Sequence, residues 1–154
     1  MKKICALYSQ VISLSNITLS PLLDLAIRLY MAYIFFQSGW TRFQAYLDGQ
    51  WEDQVYAFTE YHPIPGVPGD IAAILGTGGE VILPILLALG LFTRIGAGGL
   101  LIMTLVIQFL VQGENIANDD HYFWMLLLAV PMLKGGGMIS VDFLAQKFLL
   151  KKQA

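Results

Sequence analysis

Charge is scarce in this chain, and so are the residues that build soluble redox or metal centres. Only 13% of the 154 residues are charged, against about 25% in an ordinary soluble domain. The one cysteine, Cys5, excludes an internal disulfide and a Cys-x-x-Cys motif, so we interpret it as an incidental reduced thiol. The two histidines, His62 and His121, fall outside the apolar segments, which argues against a buried haem with two histidine ligands. No Gly-Lys-Ser/Thr motif and no basic stripe occur, so neither a phosphate loop nor nucleic-acid binding is indicated.

Hydrophobic residues take the place of the missing charges. They make up 56% of the chain, and the mean hydropathy is +0.64. Four apolar stretches predict helices at about 22–43, 71–91, 94–111 and 121–133. The sequence therefore predicts an all-α fold, an integral membrane four-helix bundle over residues 21–134. Residues 1–20 form a leader before it, and residues 135–154 an amphipathic tail after it.

The charges are sorted between alternate gaps of these four segments. Bases lie before the first segment, between the second and third, and after the fourth, whereas the other two gaps are acidic, with Arg42 the only base near them. Because basic residues mark the cytoplasmic side, the pattern predicts a bacterial inner-membrane protein with both termini in the cytoplasm. The bases are Lys2, Lys3, Arg94, Lys134, Lys147, Lys151 and Lys152; the acids are Asp48, Glu52, Asp53, Glu60, Asp70, Glu114, Asp119 and Asp120.

Helix signals add detail to this outline. Trp51, Val55 and Phe58 recur at helical spacing in the first outer loop, which predicts a short amphipathic helix at the outer interface. Caps are expected at Ser20 with Pro21 and at three single residues, Asp70, Thr93 and Ser140. Small residues on the second and third segments are expected to let those helices approach closely: Ala72, Gly76, Gly79, Gly96, Gly98 and Gly99.

Polar groups inside the apolar segments are the functional candidates, because a charge in a spanning helix is costly. Glu80 and Arg28 are placed near the middle of the bundle, within reach of each other, so that a buried pair is one expectation. Pro84 leaves the carbonyl of Glu80 without its helical donor. The proline is interpreted either as a simple packing kink or as part of a designed site. Gln108 lies in the outer half of the third segment, and Gln37 lies roughly opposite Arg28.

A second candidate group lies at the outer face. Arg42 ends a stripe with Arg28, Phe35 and Gly39 and is expected to meet the acidic loops. Asp119, Asp120 and His121 open the fourth segment. They form either a metal or proton site or a solvated helix cap, and the cap is favoured because three consecutive residues rarely converge on one ion.

The pattern resembles the DoxX family of small four-helix bacterial membrane proteins. The resemblance rests on three stretches, namely residues 28–42, residues 79–94 with Glu80 and Pro84, and residues 135–142 with its three glycines. Arg42 stands where the family often has Lys, and Gly136 where Pro is common. The resemblance implies an accessory subunit of a membrane redox system linked to quinone, with a membrane or soluble redox protein as partner.

Three functional hypotheses follow. In the first, Arg28, Glu80 and Gln108 bind a quinone head group between walls made by Phe35, Phe36, Phe109 and Trp124. In the second, the protein is a scaffold or assembly factor without chemistry, and a homo-oligomer is compatible with it. In the third, it is a small transporter with Glu80 as proton carrier. The residues alone imply no cofactor firmly, and quinone is the candidate that the resemblance adds.

Overall fold

The computed structural model describes residues 8, 10, 12–112 and 118–151. Over these residues the chain forms helices and no strands, in the order α1 Ser20–Leu47, α2 Trp51–Glu60, α3 Gly69–Leu89, α4 Thr93–Phe109, α5 Asp119–Lys134 and α6 Val141–Lys151. The four longest, α1, α3, α4 and α5, make the bundle. This confirms the all-α four-helix architecture. Lys2, Lys3, Cys5, Glu114 and Lys152 lie outside the described residues.

Helix α1 is longer than the sequence predicts. A π-helical turn, Ser15–Leu19, leads into it without a break, and the helical run extends from Ile12 to Leu47. The expected cap at Ser20 is therefore wrong. The Ser20 amide donates to the carbonyl of Ser15 and so continues the helical run, and Pro21 follows it with no amide hydrogen to donate.

Two helices are long and apolar enough to cross a membrane, namely the run 12–47 and α3, among the residues described. The apolar α4 is shorter, with 17 residues, and α5 has 16. Many large apolar side chains are exposed on the bundle, including Ile74, Ile102 and Leu126. Such a surface suits lipid and does not suit water.

The core lies between α1, α3, α4 and α5. Its fully buried members include Met31, Leu87, Leu100 and Leu128. Helices α3 and α4 are antiparallel neighbours, because Gly90 and Phe92 adopt positive φ in the short turn between them. The small residues of these helices serve the close approach that was expected, since a Cβ at Gly96 would lie 3.1 Å from the carbonyl oxygen of Leu83.

The two ends of the bundle differ in charge. The acidic end holds α2, the 62–68 loop, Asp119 and Asp120, and the amide of Gln112 donates to the carbonyl of Pro63 there. The basic end holds Arg94, Lys134 and α6. At this end Asp24, on α1, accepts two hydrogen bonds from Lys134 Nζ, at 2.7 and 2.9 Å.

The caps of the helices are only partly those expected. Ser140 does cap α6, since its hydroxyl accepts from the amide of Phe143 at 3.1 Å. Thr93 does not cap α4; Asp142 of α6 takes that role by accepting from the amides of Phe92 and Thr93. Asp70 makes no cap hydrogen bond, because α3 already begins at Gly69.

Candidate functional site

The site is built where α1 crosses α3 at a glycine. A Cβ at Gly39 would lie only 2.6–2.7 Å from the backbone and Cβ of Glu80. The absence of a side chain at position 39 therefore lets the two helices touch at the level of Glu80. The contact includes the Glu80 carbonyl oxygen, the group that Pro84 deprives of its helical donor.

Glu80 forms an ion pair with Arg42. Arg42 Nη1 donates to Glu80 Oε2, and Ser38 places its hydroxyl beside the same carboxylate. The Glu80 side chain is 6% exposed and the Arg42 side chain 27%. The Arg42 guanidinium also lies 5.3 Å from the centroid of the Phe58 ring on α2. The pair thus has a buried acid and a base that reaches in from the acidic end.

The expected pair of Arg28 with Glu80 is wrong, and the helix crossing explains why. Gly39 is level with Glu80, and Arg42 lies three residues beyond it, or about 4.5 Å along the helix. Arg28 lies eleven residues to the other side, about 16 Å away. The height of α1 relative to α3 cannot be deduced from the lengths of their apolar segments, because it depends on where the two helices cross. Arg42 does reach the first outer loop, as expected, but it contacts the Phe58 ring of α2 there, and its ion pair is with Glu80.

Arg28 belongs to the basic end of the bundle. It is 1% exposed, its Nη2 donates to the carbonyl of Ile139 at 2.5 Å, and its Nη1 contacts Gly90. Its role in the structure is to join α1 to the α3–α4 turn and to the segment before α6.

His121 and Gln108 form a second polar pair, near the acidic end. Gln108 Oε1 accepts from the backbone amide of Asn118 and lies 2.6 Å from His121 Nδ1. The Asn118 amide can only donate, so the Gln108 atom that it contacts must be the side-chain oxygen. That oxygen accepts from His121 as well, so Nδ1 of His121 carries the ring hydrogen. In the neutral ring Nε2 is then the acceptor that remains for a ligand.

The Asp-Asp-His group is not one site. His121 is buried, at 8% exposure, whereas Asp119 and Asp120 are exposed. The cap of α5 is Asn118, whose side chain accepts from the amide of Asp120, so the predicted cap is wrong in its residues. Within the described part of the chain, no three His, Cys, Asp or Glu side chains are placed to hold one metal ion.

A cavity of about 700 Å³ joins these polar groups near the acidic end. Glu80, Arg42, His121 and His62 lie in its lining, while Gln108 stands behind His121. Every helix from α1 to α5 contributes to its wall. The apolar lining residues include Phe58, Leu75, Ile102, Met103, Val106 and Leu110.

The aromatic walls that the sequence suggested lie elsewhere. Phe35 packs in the core against Trp124, with ring centroids 5.7 Å apart. Phe36 stacks on Trp40, and Phe109 meets Tyr122. Gln37 is exposed on α1, and its carbonyl accepts from the Thr41 hydroxyl. Of the four polar residues predicted inside the membrane, only Glu80 therefore lines the cavity directly.

Sequence reasoning missed Phe58, Ser38 and His62 as parts of the site. It also missed Asp24, the half-buried partner of Lys134. One signal was available, because Gly39 stands between Phe35 and Arg42 on one stripe of α1. A glycine there predicts a crossing helix, and Arg42 is the base nearest to that crossing.

The arrangement suits an amphiphilic ligand with a polar head. A cavity of 300–1,000 Å³, mostly apolar and with a few convergent polar groups, is the usual form of a small-molecule site. Here Arg42 is a hydrogen-bond donor, His121 Nε2 an acceptor, and Glu80 a group that can hold a proton beside them.

Comparison with known proteins agrees with the resemblance. The DoxX family model matches residues 23–113. The chain is also 30% identical over 130 residues to an uncharacterized protein of Haemophilus influenzae, across 80% of this chain and 83% of that protein. No solved structure matches the chain. With more than half of its length matched by the family model, the chain belongs to the DoxX family of membrane proteins.

Proposed function

We propose that this protein is the membrane accessory subunit of a quinone-linked redox system, and that its cavity near the acidic end holds the quinone head group. The main observation that supports this proposal is that the Arg42–Glu80 pair and His121 line the same largely apolar cavity of about 700 Å³. A scaffold without chemistry has no use for a buried carboxylate in such a cavity, since an ionisable group buried in a spanning bundle is costly.

The residues present fit a quinone. Its ring needs apolar walls, which Ile102, Met103 and Val106 supply, and the hydrogen-bond partners of its oxygens depend on its redox state. Arg42 donates to an oxygen in either redox state, whereas His121 Nε2 accepts from the hydroxyl of the reduced form. When bound, the quinone would supply two-electron, two-proton redox chemistry. The chain itself would orient the head group and hold a proton at the Glu80 carboxylate.

The test is a titration of the purified protein with a short-chain quinone, followed by the fluorescence of Trp124 in a variant that lacks Trp40 and Trp51. The Trp124 and His121 rings lie 5.1 Å apart, so a quinone beside His121 should quench Trp124. Replacing Arg42 by Gln should weaken binding about tenfold, because one charge-assisted hydrogen bond is lost.

Two glutamines provide a matched control. Gln108→Leu removes the partner of His121 and should weaken binding, whereas Gln37→Leu changes an exposed position outside the cavity and should leave it unchanged. Complementation of the partner system should fail with Glu80→Gln at normal protein abundance. Quenching that never saturates, with full activity of Glu80→Gln, would leave the scaffold hypothesis ahead.

A further inference from the structure

A second cavity lies at the basic end of the bundle, opposite the proposed quinone site, and shares no lining residue with it. It measures about 520 Å³ and lies between the start of α4, the 135–137 glycine loop and α6. Its lining includes two cations, Arg94 and Lys134, together with the backbone of the glycine loop. Apolar side chains border it as well, and Phe92 and Ile95 are more than 60% exposed.

The carboxylates near this cavity are already engaged. Asp24 accepts from Lys134 through both oxygens. Asp142 accepts from the amides of Phe92 and Thr93 through one oxygen each. Among the described residues, Arg94 makes no ion pair, although its Nε lies close to Gly135. The lining holds two cations, Arg94 and Lys134, and one carboxylate, Asp142. Arg28 and Asp24 lie nearby and add one charge of each sign, so the cavity has a surplus of positive charge.

The glycine loop packs closely against the start of α4 and the residue before α6. Gly135 and Gly137 adopt positive φ, at 84° and 69°. A Cβ at Gly136 would lie 2.5 Å from Ser140 Cβ and 2.6 Å from Thr93 Oγ1. The loop therefore brings bare backbone beside the two cations, and a concave patch of backbone and bases is a common form of anion site.

We infer that this cavity binds a phosphate group, with Arg94 as its main ligand and Lys134 as the second cation. The exposed Phe92 and Ile95 beside the cations favour the headgroup of an anionic phospholipid as the source of that phosphate, because they would lie against its acyl chains. A free phosphate would use the same cations without needing the apolar border.

The experiment is native mass spectrometry of the full chain in detergent, with phosphatidylglycerol or phosphatidylcholine added. The wild type should retain phosphatidylglycerol about tenfold more tightly, because choline would bring a cation against Arg94. Arg94→Gln should remove that preference, and Arg94→Lys should keep most of it. The matched control is Lys147→Gln, which removes the same charge from an exposed position of α6 outside the cavity.

The same mass spectrometry, repeated with inorganic phosphate or chloride added at equal ionic strength, distinguishes a lipid headgroup from free phosphate as the source. Displacement of the lipid by phosphate indicates a site open to free phosphate, and retention indicates a lipid site; either result supports the inference when Arg94 is required. Equal retention of both lipids by the wild type overturns it. Equal losses in Arg94→Gln and Lys147→Gln also overturn it, because they indicate a diffuse basic surface. Neither outcome depends on the cavity near the acidic end.

Discussion

Glu80 illustrates how one glycine decides the environment of a buried acid. The contact at Gly39 sets the relative height of α1 and α3, and this height places Arg42, and not Arg28, within reach of the carboxylate. A carboxylate buried without a partner would be costly, whereas a paired one can stay charged. The pair therefore acts on both stability and ligand binding, and the two effects need separate measurements.

At the residue scale, the Arg42–Glu80 pair should appear as a coupling energy. Arg42→Gln should destabilise the bundle by about 2–4 kcal/mol, because Glu80 loses its partner while it stays buried. The double variant with Glu80→Gln should be less destabilised than the sum of the single variants by about 1–2 kcal/mol. The free energy of unfolding, measured by denaturation in mixed micelles, reports both values.

Arg28 supplies the control for this cycle. Arg28→Gln should itself destabilise the bundle, since Arg28 is buried and bonded to Ile139. Combined with Glu80→Gln it should be additive to within about 0.5 kcal/mol, because the two sites are far apart. Strong coupling of Arg28 with Glu80 and none for Arg42 would contradict the register at Gly39.

At the scale of the elements, α6 is joined to the bundle through Asp142. Its carboxylate caps α4 with two backbone hydrogen bonds and accepts a third from the Thr93 hydroxyl at 2.8 Å. Partial burial raises the pKa of Asp142, but the bonds from Thr93 and Phe92, with the nearby Arg28, outweigh it and leave the pKa below its ordinary value. The charged form is thus the one that the fold stabilises.

Asp142 should therefore make stability depend on pH. A carboxyl whose pKa is lower when folded stabilises the fold above its unfolded pKa, near 4, and the contribution is lost as the pH falls through the folded value. Asp142→Asn should cost about 1 kcal/mol at pH 7, the usual loss for a cap, and progressively less toward pH 3. Thermal unfolding followed by circular dichroism measures this. The control is Asp48→Asn, at an exposed position after α1, whose stability relative to the wild type should not change with pH in this way. A stability difference for Asp142→Asn that is the same at pH 7 and pH 3 would contradict the argument.

The element boundaries show what a sequence can predict here and what it cannot. The existence of all four long helices and of α2 followed from apolar runs and from the spacing of Trp51, Val55 and Phe58, because these are local signals. Contacts between distant residues gave no local signal. Asp142 capping α4, Gln108 holding His121 and Arg42 reaching Glu80 all depend on how helices pack. Glu80, Arg42 and His121 were therefore named from the sequence as candidates in two separate groups, but the packing that brings them to one cavity was not predicted.

At the scale of the whole molecule, the two ends of the bundle have different charge and different cavities. The acidic end holds the cavity with Glu80 and His121, and the basic end the one with Arg94 and Lys134. Basic residues favour the cytoplasmic side. If the basic end is cytoplasmic, the proposed quinone site opens toward the outer leaflet, and the proposed phosphate site lies among the headgroups of the inner leaflet.

This orientation can be tested with single cysteines in a Cys5→Ser background. Gln50 lies between α1 and α2, and Gln112 lies beyond α4, both at the acidic end and both exposed. Four crossings with cytoplasmic termini place these two positions outside and Ala154 inside. An impermeant thiol reagent added to intact cells should therefore label Gln50→Cys and Gln112→Cys, and it should label Ala154→Cys only after the membrane is permeabilised. Opposite labelling of Gln50 and Gln112 would mean that α3 and α4 do not cross as a pair, and labelling of all three would remove the proposed orientation.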